Sequence, residues 1–337
     1  MPRIWGARSL APLYPEKSNL PEPIGEVWLT GVDCKVATGP FAGRTLGEAW
    51  SKMTIGWRGT SLQGEANFPL LLKFIFPKDK LSIQVHPDDA YAAANEQAAG
   101  GRGKTEMWYV VSAELGARLL AGLKQGTTKE SFGAALAKHQ LEDLFQAYEV
   151  RAGDTFFVPA GMPHTIGPGM IICEVQEYSD LTYRVYDYDR ADAHGRPREL
   201  HVEKAMAVMD FSSVARAKVE TRPLRVRGEI VGEPLVECSY FSTFRHDVSE
   251  RVHFRVTPGP REQFALWVFL EGEGEIGWST LEDSKRENWY GGGFRYKRGD
   301  CWFLPAEFGS HSFDPKQKTS ILIARPQSAK FESGDEN

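Results

Sequence analysis

Apolar residues along the chain gather into short runs rich in Val, Ile, Phe, Tyr and Trp, each bounded by Gly, Pro or Asp. Leu70–Phe76, Leu81–Val85, Met107–Val111, Thr155–Val158, Met170–Val175, Ala265–Leu270 and Cys301–Leu304 all behave this way. Runs of that length and composition predict strands, and their number predicts a β-sandwich or barrel. Helical patterns are fewer. Thr45–Met53 is one candidate, Asp88–Gln97 with its acidic start is a second, and Glu203–Met209 adds a short third. The longest lies at Lys129–Tyr148, where Phe132, Leu136, Leu141, Leu144 and Phe145 recur at roughly helical spacing.

The pattern also repeats. Gly153-Asp154-Thr-Phe-Phe-Val-Pro159-Ala160 leads to His164, and Gly299-Asp300-Cys-Trp-Phe-Leu-Pro305-Ala306 leads to His311. Each copy reads as a turn, a buried strand, a Pro-Ala corner and a histidine, the second with one extra residue before its histidine. Shared detail of that kind implies two related β-domains. The expected division is residues 1–210, 211–327 and a polar tail at 328–337, with the join near Asp210–Arg222, where apolar periodicity weakens and charge rises.

Composition narrows the function classes. Among 337 residues, 42% are hydrophobic and 25% charged, an ordinary globular balance. The net charge of −5 argues against a nucleic-acid or anionic-membrane binder, though not against a local basic pocket. No apolar run approaches the roughly 20 residues of a membrane-spanning helix, and Met1–Ser18 has no apolar core of a signal peptide. Cys34, Cys173, Cys238 and Cys301 are widely spaced with no C-x-x-C pair, which fits a reduced, cytoplasmic protein. The expected state is a monomer or weak homo-oligomer.

Candidate chemistry starts at Ser82-Ile83-Gln84-Val85-His86-Pro87. On a strand, Gln84 and His86 share one face and Ile83 and Val85 the other. If the core lies on the apolar side, the polar pair faces a cavity or water. Glu106 follows a Gly-rich loop and opens the Met107–Val111 strand. His164 lies past a corner stiffened by Pro159 and Pro163. Two imidazoles, one carboxylate and one amide oxygen suit a divalent transition metal with positions left open. Two motifs are set aside. Gly100-Gly-Arg-Gly-Lys104-Thr lacks the first P-loop glycine, at Ala98, and precedes a strand. Gly272-Glu-Gly-Glu-Ile-Gly277 lies between strand-like runs and predicts a hairpin turn rather than a dinucleotide site.

The G-D-x-x-x-x-P-A frame resembles a cupin motif, and implies two cupin-type jelly-roll β-barrels in a mainly β chain, with helical insertions (about 45–53 and 129–148) around the first. A closer resemblance follows. Gln84-Val-His86-Pro-Asp, Gly103-Lys104-Thr-Glu106-Met-Trp-Tyr, Pro159-Ala-Gly-Met-Pro-His164 and Asp180-Leu-Thr-Tyr183-Arg184-Val-Tyr-Asp187 together look like type I phosphomannose isomerase, in its compact bacterial form; Ile24-Gly-Glu-Val-Trp28 resembles its N-terminal segment. The resemblance implies one zinc ion per chain on Gln84, His86, Glu106 and His164, an active-site arginine at Arg184, a lysine at Lys104 and an acidic partner at Glu174. It implies a sugar-phosphate substrate and interconversion of mannose 6-phosphate and fructose 6-phosphate through a cis-enediol, with Glu174 as the base. No Q-x-H or K-T-E pattern precedes His311, so the second barrel is expected to be metal-free. The rival readings are a non-haem iron oxygenase, which uses two histidines and a carboxylate, and a non-catalytic sugar-binding or regulatory cupin.

Overall fold

The computed structural model describes residues 1–192, 195–212, 216–226, 229–254, 262–278 and 293–327. The tail expected at 328–337 lies outside them, as do residues 213–215 of the expected join. The chain groups into two units: Met1–Leu10, Lys17–Leu29 and Leu70–Glu220 form the first, and Ala11–Glu16, Thr30–Pro69 and Thr221–Asn337 the second.

Each unit is built from two antiparallel sheets, the cupin-type arrangement expected of the sequence. In the first unit the larger sheet runs Glu26–Trp28, Leu70–Ile75, Met170–Glu177, Glu106–Ala113, Thr155–Val158, Lys218–Val219 in spatial order. The smaller runs Tyr183–Tyr186, Ile83–Val85, His164–Ile166, Arg118–Leu123, Phe145–Glu149. Trp108, Val110, Phe156, Val158 and Ile172 from the first sheet meet Leu119, Ala121 and Ile166 from the second in one buried cluster. The other face of the smaller sheet is covered by helices Lys129–Ala137 and Val202–Val208: Ile83, Val85, Leu123, Phe145 and Val185 pack there with Phe132, Ala205 and Met209. Ile83 and Val85 therefore point out to the helical cover, and strand alternation sends Gln84 inward.

The second unit repeats the plan. Its six-stranded sheet runs Leu224–Val226, Glu229–Glu237, Phe241–Val248, Thr319–Pro326, Ala265–Glu271, Cys301–Leu304. Its four-stranded sheet runs Val252–Phe254, His311–Pro315, Glu273–Trp278, Gly293–Lys297. The repeat frame folds alike in both copies. Gly153 and Gly299 sit at φ +93° and +87°, as the turn requires. Asp154 accepts the Arg151 amide at 2.9 Å and Asp300 the Lys297 amide at 3.0 Å. His164 Nδ1 and His311 Nδ1 each lie on a carbonyl two residues earlier, Met162 O at 2.9 Å and Gly309 O at 3.0 Å.

Three expectations change. The helix at Lys129–Tyr148 stops at Ala137: Thr128 caps its start, but His139 takes a positive φ of 57°, Leu141–Leu144 forms a 3-10 turn, and Phe145–Glu149 is a strand paired with Arg118–Leu123. The apolar spacing fits both readings locally, and the ladder decides. Gly272 is no hairpin turn. Glu271 pairs with Ser320 in one sheet and Glu273 with Lys297 in the other, so Gly272 is a corner where the chain changes sheets. Residues 30–69, with the helix Leu46–Trp50, group with the second unit rather than the first. The rings of Trp50 and Phe68 lie 5.8 and 5.5 Å from that of Phe264, which stacks on Phe303 at 4.6 Å.

Candidate metal centre and active site

The candidate residues converge inside the first barrel because neighbouring strands place them in register. Gln84 lies opposite His164 in one direction and opposite Arg184 in the other. On the larger sheet, Glu174 lies between Lys73 and Trp108, and Gln176 opposite Glu106. Ile172 and Val110 belong to the inner cluster, so Glu174, Glu106 and Trp108, which alternate with them in phase, face inward too.

Among the described residues, His86, Glu106 and His164 form the group able to hold a metal ion, their ligand atoms all within 4.8 Å of one another. Each is fully buried. His86 Nε2 is 3.5 Å from Glu106 Oε1, and His164 Nε2 is 3.7 Å from Glu106 Oε2. The other ring nitrogens fix the tautomers. His86 Nδ1 meets Leu181 O at 2.7 Å and His164 Nδ1 meets Met162 O at 2.9 Å. A carbonyl only accepts, so each Nδ1 carries the proton and each Nε2 turns a lone pair toward the carboxylate. Glu106 Oε2 has no hydrogen-bond donor. Acceptors facing acceptors in a buried space is unfavourable without a cation between them, and a ring N–H held by a backbone carbonyl is how a metal-binding histidine is oriented. The residues fit a divalent ion. The Gln84 amide nitrogen is 3.2 Å from His164 Nε2, and a half-turn of that amide brings its oxygen to the same place.

Lys104 is the cation in place. Its Nζ lies 2.6 Å from Glu106 Oε1 and 3.3 Å from His86 Nε2. Burial works to raise the Glu106 carboxyl, but the neighbouring Lys104 ammonium outweighs it and holds it well below the ordinary range. Burial, aided by Lys104, drives His86 well below its usual value, and burial lowers His164 as well. Both rings are therefore neutral, the form that binds metal.

Gln84 and Lys104 also line a cavity of about 500 Å³, with Lys73, Glu174, Arg184 and Arg198 among its walls. Arg184 donates to Glu199 O at 2.8 Å through one terminal nitrogen, while its buried Nε has no acceptor among the described residues. Arg198 is held at 2.7 Å by Asp187, which Arg190 also grips at 2.7 Å. Glu174 is pinned from both sides: Lys73 Nζ lies 2.9 Å from one oxygen, and Trp108 Nε1 donates to the other at 2.9 Å. Burial and the Glu106 charge push Glu174 up to about 7, against the pull of Lys73 and Lys104.

Of the residues singled out in the sequence, Gln84, Lys104, Glu174 and Arg184 line this cavity, while His86 and Glu106 meet Lys104 and His164 meets Gln84. Sequence reading missed Lys73, Arg198 and Asp187. The available signal for Lys73 was a lone lysine inside an otherwise apolar strand, Leu70–Ile75, every residue of which is buried. In the second unit the frame places Ala265 where Glu106 stands, since Ala265 pairs with Leu304 as Glu106 pairs with Val158.

Replacing Lys73 by Met should leave Glu174 buried without its cation, at a cost of about 3–5 kcal/mol. The raised Glu174 pKa gives the sign. Its neutral form suits the fold, so stability falls as pH rises from the unfolded value through about 7. Urea unfolding of the metal-free Lys73→Met chain should therefore show a larger loss at pH 8 than at pH 5. A loss independent of pH would contradict this reading.

Comparison with known proteins agrees with the geometry. Residues 3–112 match the family described as phosphomannose isomerase type I, catalytic domain. Mannose-6-phosphate isomerase ManA of Bacillus subtilis is 33% identical over 320 residues, 93% of this chain and 92% of that one. Mannose-6-phosphate isomerase of Streptococcus mutans is 34% identical over 320 residues, again 93% and 92%. The crystal structure of the mannose 6-phosphate isomerase from Bacillus subtilis superposes with a TM-score of 0.81 at 28% identity, covering 96% of both chains. A mannose 6-phosphate isomerase bound with zinc and yttrium shares the fold, with a TM-score of 0.67 at 16% identity and 97% of each chain covered. With relatives this similar over nearly their whole length, the chain belongs to the type I phosphomannose isomerase family.

Proposed function

We propose that the chain is a zinc-dependent aldose–ketose isomerase that interconverts mannose 6-phosphate and fructose 6-phosphate, and that the first unit does this chemistry with one ion per chain. The observation that carries the reading is the pair of imidazole lone pairs and the carboxylate converging beneath a cation-lined cavity. Arg3, Lys73, Lys104, Arg184 and Arg198 face Glu26, Glu174 and Asp180 on its walls, an excess of positive charge suited to a phosphate dianion. Arg184, with no carboxylate on its side chain among its hydrogen bonds, is the natural phosphate or sugar-oxygen partner, and Arg198 is preset beside it by Asp187. The second unit, with Ala265 in place of a carboxylate ligand, would carry no such ion. Cys34, Cys173, Cys238 and Cys301 form no disulfide among the described residues, which suits a reducing cytoplasm.

Gln84, His86, Glu106 and His164 would hold the zinc. The bound ion supplies Lewis-acid stabilisation of negative charge on the sugar oxygens. The residues do the rest. Arg184 and Lys104 add fixed positive charge where the cis-enediol's oxygen becomes negative. Glu174, held by Lys73 and Trp108 and poised near neutrality, takes the C2 proton and returns it to C1. Lys104, 2.6 Å from Glu106 Oε1, also lines the cavity, so its ammonium lies within reach of both the carboxylate and the sugar.

The purified chain should turn over mannose 6-phosphate in preference to other hexose phosphates. Chelation should remove the activity and zinc restore it, and Glu106→Gln should lower kcat/KM by about 1,000-fold or more, a loss of several kcal/mol. Activity that survives exhaustive chelation, or no turnover of mannose 6-phosphate, would contradict the proposal. The base assignment has its own test. Glu174→Gln should abolish exchange of the C2 hydrogen with solvent deuterium while zinc content stays unchanged; exchange at the wild-type rate would reject Glu174 as base.

A further inference from the structure

The segment 100–105 begins with two glycines and ends at Lys104 and Thr105, just ahead of the strand that opens on Glu106. Glu106 is already fixed by its ladder to Gln176 and Val158. Lys104 is not in that ladder, so what holds its backbone has to come from elsewhere. Four contacts do so. Ser179 Oγ donates to Arg102 O at 3.0 Å, the Gly103 amide donates to Asp89 at 2.8 Å, and the Lys104 amide donates to Pro87 O at 3.0 Å. The fourth is Glu177. Its carboxylate accepts the Thr105 amide at 2.7 Å, and its own amide donates back to Thr105 O at 3.2 Å. Glu177 is 5% exposed, and its side chain is the one acidic group in the set closed off from water. Gly103 leaves no slack, because a Cβ there would lie 2.6 Å from the Asp88 carbonyl carbon. Thr105 also links a third segment, its Oγ1 lying 3.5 Å from the Ala160 amide on the corner leading to His164.

We propose that Glu177 is a positioning residue for the isomerase centre, its carboxylate clamping the Thr105 amide so that the Lys104 ammonium is delivered to Glu106 and the cavity. This rests on the isomerase reading above. Asp89 and Arg102 are the charged groups that face it. Burial, followed by the Asp89 charge, pushes its carboxyl up to about 7, so a neutral side chain that still accepts a hydrogen bond is a close substitute. What the geometry asks of Glu177 is acceptance of the Thr105 amide, which a neutral carbonyl also provides.

Two variants separate the roles. Glu177→Met fills the space but accepts no bond; Glu177→Gln keeps a carbonyl in place. With mannose 6-phosphate, Glu177→Met should lower kcat by about 10- to 100-fold, as a misplaced catalytic group does, while still binding one zinc per chain. Glu177→Gln should restore kcat to within about threefold of wild type, since it keeps the acceptor. Amide hydrogen exchange of residues 100–105 should speed up in Glu177→Met and stay slow in Glu177→Gln. That readout holds whether or not the chain isomerises sugars, so failure of the isomerase reading is seen separately, as absent turnover by the wild type. Unchanged kcat and exchange in Glu177→Met would overturn the inference. Equal losses in both variants, or zinc lost along with activity in Glu177→Met, would overturn it as well.

Discussion

The first barrel has to accommodate a buried carboxylate facing two imidazole lone pairs, all of them acceptors. Each histidine gives its Nδ1 proton to a backbone carbonyl, Leu181 O or Met162 O, so neither ring can turn to donate to Glu106. A cation between them relieves that opposition. Lys104 meets that need in part, touching Glu106 and His86, while the Glu106 oxygen nearer His164 is left without a donor. Much of the surrounding architecture keeps this arrangement from relaxing. Helices behind the smaller sheet bury Ile83 and Val85 and thereby commit Gln84 to the interior. The Pro159–Pro163 corner sets the approach to His164, whose amide-linked strand pairs with Gln84.

A second ionic pair sits beside the first. Lys73, Glu174 and Trp108 occupy adjacent positions across three strands, so the base candidate is held by its lateral neighbours rather than by a flexible loop. The two carboxylates, Glu106 and Glu174, are then pushed in opposite directions by their surroundings. Glu106 is held low by Lys104, whereas Glu174 is raised by burial and by the charge of Glu106 itself. One stays an anion and the other stays able to carry a proton near neutrality, the division of labour that the proposed acid–base chemistry at a metal site needs.

Part of this was legible in the sequence because it rests on local rules. Period-two alternation placed Gln84 and His86, and the internal repeat singled out His164 and His311 as equivalent. Glu106 stood out where a Gly-rich loop opens a strand, and Lys104 and Arg184 entered through motifs shared with a known family. What was not legible depends on pairing between distant strands. Lys73 read as an interruption in an apolar strand until the ladder set it opposite Glu174. Glu177 carries no local signal, and only strand pairing brings its carboxylate to the Thr105 amide. Phe145 satisfied helical spacing from Phe132 and strand alternation equally well, and only the edge of Arg118–Leu123 selected the strand. Residues 30–69 follow aromatic packing on Phe264 and Phe303, which no local pattern announces.

The claim that the buried acceptors exist to hold an ion is tested most directly by X-ray absorption at the zinc edge, on the metal-stripped chain reloaded with zinc. The account predicts one tightly bound ion per chain with a shell of nitrogen and oxygen only, at about 2.0–2.2 Å, and scattering from two imidazole rings. A sulfur shell at about 2.3 Å, from cysteines this site does not contain, or no retained zinc, would contradict it.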